Sequence, residues 1–311
     1  MGGKSSHTAP VRSGVPQGSV LGPLMVLLFI NDLPEYVYSH PKFVYLQMTV
    51  LYRKIQNEAD SKLLQEDMNN LLRWESDWQM EFHPSKCQIL RVTNKRKPSP
   101  TSYDIHGHKL EIVDSAKYLE VTIHKTINWN THIENITKKT NSTRAFIQRN
   151  LQHCPQRTKA VCYTTLVRPL LEYACIVWGP FININIQKLE SVQRRSAQFV
   201  MNDYRQNSSV PSMLNTLQWQ PLAEKMTRCK AVMMYRIVNG LIAIPPLELH
   251  TTSSVARDHI SRFLLPYART STYGHSFFLD SIRLWNSLPQ PLMDSTSLDA
   301  FKQEVLSSSI P

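Results

Sequence analysis

Near Lys125 the hydrophobic periodicity of this 311-residue chain changes, and that change constrains its fold more than any other feature. Upstream, short β-prone runs surround one helical pattern; downstream, apolar residues recur at helical spacing and strand patterns stop. Residues 43–45 and 49–52 read as strands of a tight hairpin, separated by Leu46, Gln47 and Met48. Residues 14–22 form a Gly/Pro turn region that leads through Pro23 into a helix over 24–30, apolar enough to belong in a core. From Asp60, a candidate N-cap, to Phe82, the residues Leu64, Met68, Leu71 and Trp78 mark one face of an amphipathic helix. Residues 87–93, 109–113 and 118–123 read as strands. Helical patterns follow at 129–151, 155–178, 183–202 and 221–239, then a linker around Pro245 and Pro246 and a short helix near 298–306. The expected class is α+β, divided into 1–125, a basic helical region at 126–240, and a C-terminal extension at 241–311.

The charge is as unevenly spread as the periodicity. Between Thr137 and Arg236 there are 15 Lys and Arg against 4 Asp and Glu, so this third carries the whole formal charge of +11 and the remainder is neutral. A concentrated basic zone is the footprint of a polyanionic partner, nucleic acid first and an anionic membrane second. The alternative is a solvated basic surface with no partner. In the 183–202 pattern, Leu189, Val192, Phe199 and Val200 form an apolar stripe opposite Lys188, Arg194, Arg195 and Gln198, so one face packs while the other meets solvent or an anion.

Five cysteines, odd in number and widely spaced, argue for a reducing compartment and against a disulfide framework or a zinc finger. The longest apolar run, 20–30, is interrupted by Gly22 and Pro23 and falls short of the ~20 residues a membrane span needs. An intracellular protein of nucleus or cytoplasm, with no membrane partner, is the expectation.

The string GVPQGSVLGPL at 14–24 is long and unusual. Gly14 and Gly18 allow close backbone approach to a ligand, and Gln17 and Ser19 offer hydrogen bonds to a base or sugar; a Pro/Gly turn capping the next helix is the plainer reading. The string resembles the template-binding loop of LINE-type, non-LTR reverse transcriptases. The resemblance continues in order through FINDLP (29–34), TVLY (49–52), FHPSKC (82–87), YLEVTI (118–123), NWNTHIENITKK, TLVRPLLEYACIVW, IQKLESVQRRSAQFV and LWNSLPQPL. It implies a right-hand polymerase: part of a palm with a twisted sheet, a helical thumb over 126–240 and a helical extension.

Departures from the pattern bear on activity. The family joins nucleotides with two Mg²⁺ ions held by acidic side chains, from a strand upstream of the GVPQGS loop and from an Asp-Asp pair on the hairpin. Here only 13 residues precede Gly14, and Leu46-Gln47-Met48-Thr49 stands where the family has Ala-Asp-Asp-Thr. A neutral amide and a soft thioether do not replace hard anionic ligands. Asp32, in a turn, and Asp60 are poor substitutes by position. Glu120 occupies the Gly position of YLGV, where a side chain is expected to crowd neighbouring backbone. These residues imply no catalytic group, no metal ligand and no bound cofactor, although the intact family uses Mg²⁺. They leave a partner in RNA or DNA, bound without sequence preference through Gly14, Gln17, Gly18, Ser19, Lys138, Lys139, Arg144, Lys188, Arg194 and Arg195. An inert translated relic is the alternative.

Overall fold

The computed structural model describes residues 21–37, 42–45, 48–93, 95, 101–205, 207–242, 249 and 262–307. The chain divides into two units, Met1–Thr126 and Ile127–Pro311.

In the first unit, helix α1 (Leu21–Phe29) precedes a 3-10 turn (Leu33–Tyr36), the hairpin strands β1 (Lys42–Tyr45) and β2 (Met48–Leu51), and the long helix α2 (Glu58–Trp78). Tyr45 lies opposite Met48 in the antiparallel register, so Met48 opens the second strand instead of sitting in the turn. Helix α2 starts earlier than Asp60: Asn57 is its cap, and Asp60 closes a capping box in which each side chain accepts from the other's backbone N–H, at 3.0 and 3.1 Å. Asp60 also accepts from the Gln56 N–H at 2.7 Å, and these backbone donors hold its carboxyl below the usual range. The helix ends at Trp78 on a left-handed Gln79, and Phe82 turns back to lie 6.0 Å from the Trp74 ring.

Leu71 and Trp74 of α2 form the core with Leu33 and Val37, backed by Ile30, Tyr36, Leu51 and Phe82. Two acids on the same helix are also buried: Asp67 lies 3.8 Å from Arg53, and Glu75 accepts from the Phe82 backbone and the His106 ring, both at 3.0 Å. The core position expected for α1 is not found. Leu24, Leu27 and Leu28 are exposed, Leu28 at 69%, because the 3-10 turn occupies the apolar face of α2 and Ile30 alone of this neighbourhood joins the cluster.

The remaining strands, β3 (Gln88–Leu90), β4 (Asp104–Ile105), β5 (His108–Lys109), β6 (Glu111–Val113), β7 (Ser115–Tyr118) and β8 (Val121–His124), are two to four residues long. They pair in twos: β3 with β6 in parallel, β4 with β5 and β7 with β8 antiparallel. One twisted sheet, which the resemblance implies, is not formed among the described residues. The single strand expected at 118–123 is instead a hairpin, turned by Leu119 and Glu120, both left-handed at φ 44° and 63°.

In the second unit, α3 (Asn130–Asn150) is followed by a broken helical run: α4 (Gln156–Cys162), a π-turn (Tyr163–Val167), α5 (Arg168–Glu172) and α6 (Cys175–Trp178). The continuous helix expected over 155–178 fails for local reasons: Pro169 removes a backbone donor, and a left-handed Ala174 separates α5 from α6. Then come α7 (Asn183–Met201), α8 (Val210–Thr216), α9 (Leu222–Val238), α10 (Ser271–Gly274), α11 (Phe277–Ser287), α12 (Gln290–Met293) and α13 (Leu298–Ser307). Ala231, Met234 and Tyr235 of α9 share one buried cluster with Ile282 and Trp285 of α11 and with Phe301 and Val305 of α13. Tyr235 stacks on Phe301 at 4.5 Å and donates to the Ser295 carbonyl at 2.8 Å. A border at 240 therefore runs through one core, and 126–240 is not structurally separate from the described part of 241–311. The described structure is mixed helix and strand, in keeping with the α+β class.

Candidate nucleic-acid interface

The basic candidates of the second unit all stand on α3 and α7, which pack along their lengths. Ile133, Thr140 and Ile147 of α3 are buried, as are Leu189, Val192, Phe199 and Val200 of α7, so the apolar stripe read from the sequence does face inward. Asn185 ties the two helices by donating to Asn130 Oδ1 at 2.7 Å. With about 100° of rotation per residue, burying these positions turns Lys138, Lys188 and both arginines of α7 toward the outer surface.

The six cations are not equivalent. Lys188 Nζ lies 3.2 Å from Glu134 Oε1 across the helix seam, so part of its charge is already met. Arg144 is half-buried and its Nη1 donates to Gln148 Oε1 at 2.9 Å. Burial, and after it the adjacent Arg195 charge, pulls the Arg144 guanidinium down from its ordinary value, while Tyr204 acts the other way. Arg194, one residue before Arg195, lies on the Glu190 side of α7. Burial raises Glu190, and the backbone N–H groups of Ala223 and Leu222 and the Arg194 charge oppose that rise. Lys138 and Lys139 are exposed on α3, set about 100° apart around its axis. Arg144 and Arg195 thus lie within electrostatic reach of each other, Lys188 meets Glu134 on the same pair of helices, and Arg194 turns towards Glu190.

Gly14, Gln17, Gly18 and Ser19, together with Leu46 and Gln47, lie outside the described residues. Much of the remaining basic surplus is consumed inside the unit. Arg168 and Lys225 both meet Glu172 at 2.6 Å, Lys230 meets Asp280 at 2.9 Å, and the buried Lys159 places its ammonium 4.8 Å from the centre of the Phe199 ring. Sequence charge alone does not separate these internal partners from the solvent-facing set, because Lys225 and Lys230 meet acids fifty or more positions away and only Arg168 has its partner one turn on.

Two carboxylates of the first unit have structural duties. Asp32 accepts from the indole N–H groups of Trp74 and Trp78, both at 2.9 Å, and Asp60 serves the capping box. All five cysteines are free thiols. Among the described residues no helix is long and apolar enough to cross a membrane.

Comparison with known proteins agrees with this reading of the sequence. Residues 1–123 match the family model described as reverse transcriptase (RNA-dependent DNA polymerase). The chain is 26% identical over 214 residues to the "Probable RNA-directed DNA polymerase from transposon BS" of Drosophila melanogaster, covering 63% of this chain and 23% of the relative. It is 24% identical over 237 residues to the "RNA-directed DNA polymerase from mobile element jockey" of the same fly, covering 70% of this chain and 26% of that one. The aligned part thus spans about a quarter of each relative's length. No solved structure matches. Residues 1–123 are thus similar to reverse transcriptases, and the chain is similar over most of its own length to about a quarter of the length of RNA-directed DNA polymerases from transposable elements.

Proposed function

We propose that this chain is a nucleic-acid-binding, non-polymerising segment of a LINE-type reverse transcriptase, acting inside the cell, with residues 1–125 as palm and 126–240 as thumb. The observation that carries the binding reading is the set of cations on the packed helices α3 and α7, where Arg144 and Arg195 lie within electrostatic reach of each other. Among the described residues neither forms an ion pair with a carboxylate. A polyanion relieves the repulsion between these like charges, and phosphate contacts of this kind carry no sequence preference. The palm and thumb assignment rests on the likeness to reverse transcriptases and on the change from strand pairs to helices near residue 126.

The non-polymerising reading rests on the chemistry of the hairpin donors. Gln47 is a neutral amide and Met48, the first residue of β2, is a thioether; they do not fit a hard divalent cation. Asp32 and Asp60 are committed elsewhere, as described above.

The test is a primer-extension assay on the purified chain with Mg²⁺ or Mn²⁺, run beside a filter-binding titration of the same template. The expected result is binding without template-dependent extension. Extension above a heat-killed control overturns the inactive reading, and absence of binding overturns the other half. A second reading, an inert relic, is favoured by one observation, the exposed leucines of α1, which form an aggregation-prone surface. Concentration-dependent sedimentation of the whole population, with no binding, identifies that case.

A further inference from the structure

Arg144 and Arg195 have an aromatic neighbour that the sequence patterns pass over. Helix α7 ends on the left-handed Asn202, and the chain turns out into Asp203, Tyr204 and Arg205. Tyr204 is 55% exposed, although a phenol ring of this size has enough apolar surface to favour burial. It lies within electrostatic reach of Arg144, the arginine whose Nε is buried without a hydrogen-bond partner among the described residues. Its chain neighbours Asp203 and Arg205 line a polar cleft of about 810 Å³ together with Met201, Asn207, Ser208, Ser209, Ser212 and Met213. Its volume falls within the roughly 300–1,000 Å³ of sites that hold small organic groups. Asp203, the one carboxylate in that lining, is already satisfied: Arg205 binds both its oxygens at 3.0 Å and Ser208 donates at 2.7 Å.

Three features therefore follow one another around the end of α7: an arginine pair without an anion, an exposed ring, and a hydroxyl-rich cleft. Duplex recognition by a basic helix face needs the first alone. An exposed ring beside paired arginines is the arrangement that takes a base whose face is open, which a base in a duplex is not.

Resting on the nucleic-acid reading above, we infer that this corner is a single-strand subsite, in which Arg144 and Arg195 hold a backbone phosphate, Tyr204 stacks an unpaired base, and the cleft from Arg205 to Ser212 receives the adjoining nucleotide. The full-length chain then prefers single strands to duplex of equal length. The Asn207 amide and the Ser209 and Ser212 hydroxyls, which are not spent on Asp203, meet sugar and phosphate oxygens without selecting one base, so the preference is for strandedness and not for sequence.

The test titrates the full chain with a fluorescent single-stranded oligonucleotide of about 15 residues and with the blunt duplex of the same length, in matched salt. The expected order is tighter binding of the single strand. Tyr204→Ala should weaken single-strand binding roughly tenfold, the scale of one lost stacked base, and leave duplex binding unchanged. Tyr204→Phe should bind as the unaltered chain does, because the ring face and not the hydroxyl is used. Arg195→Gln should flatten the single-strand salt slope by about 0.7, one phosphate's share. Equal binding of both probes, with Tyr204→Ala indistinguishable from the unaltered chain, overturns the subsite while leaving the general binding reading intact. Failure of the unaltered chain to bind either probe overturns both.

Discussion

The carboxylate of Asp32 accepts a 2.9 Å hydrogen bond from the indole N–H of Trp74, the largest side chain in the core of the first unit. The bond joins the turn after α1 to the C-terminal part of α2 and satisfies the only polar group the Trp74 side chain carries. Asp32→Ala leaves that donor without its partner at a 2% exposed residue, at an expected cost of about 1–3 kcal/mol. Asp32→Asn keeps an acceptor oxygen and should lose less. Urea unfolding followed by tryptophan fluorescence separates the two variants; equal losses would show that the bond contributes little.

Glu120 offers a gain in place of a loss. The side chain was expected to crowd neighbouring backbone, but the hairpin places it instead in the left-handed region beside a left-handed Leu119. Two-residue turns of this kind favour glycine at that position. Glu120→Gly should stabilise the first unit by about 0.5–1 kcal/mol. The forfeited Lys117–Glu120 pair at 2.8 Å is well exposed and offsets little of this. A lower melting temperature for the glycine variant would contradict the turn assignment.

His132 sets an acid limit on the second unit. It is buried at 2% exposure between Trp129 and Trp178, with ring centres 6.4 and 5.1 Å away, and burial lowers its pKa from 6.5 to about 4. A depressed histidine pKa means that the unfolded chain binds the proton more readily, so stability falls as pH drops from about 6.5 towards 4. The expected loss between pH 7 and pH 5 is about 2 kcal/mol. His132→Leu should flatten that dependence. An unchanged slope of the urea midpoint against pH in the variant would assign the acid sensitivity elsewhere.

Glu134 restrains one of the interface cations through its 3.2 Å contact with Lys188. Glu134→Gln should release that charge, tighten nucleic-acid binding a few-fold at low salt and steepen the slope of log K against log salt by up to about 0.7–0.9. Arg195→Gln, at the seam, should flatten the slope more than Arg194→Gln, whose side chain lies on the Glu190 side. Equal effects from the two arginines would show that seam geometry does not matter to binding.

The sequence by itself determined the likeness to reverse transcriptases, the helix-rich second half, the position of the β1–β2 hairpin and the inward stripe of Leu189, Val192, Phe199 and Val200. Each of these is written in local spacing or in a contiguous motif, and helical periodicity survives any tertiary arrangement that buries one face. Tertiary structure decided what depends on partners far apart in the chain. It left the leucines of α1 outside the core because the 3-10 turn covers α2, and it joined α9 to α11 and α13 across the border expected at 240. It paired Lys188 with Glu134, fifty-four positions away, and brought Arg144 within electrostatic reach of Arg195. A charge in a sequence has no neighbours except along the chain; only packing of α3 on α7 decides which cations neutralise an acid inside the fold and which face an outside anion.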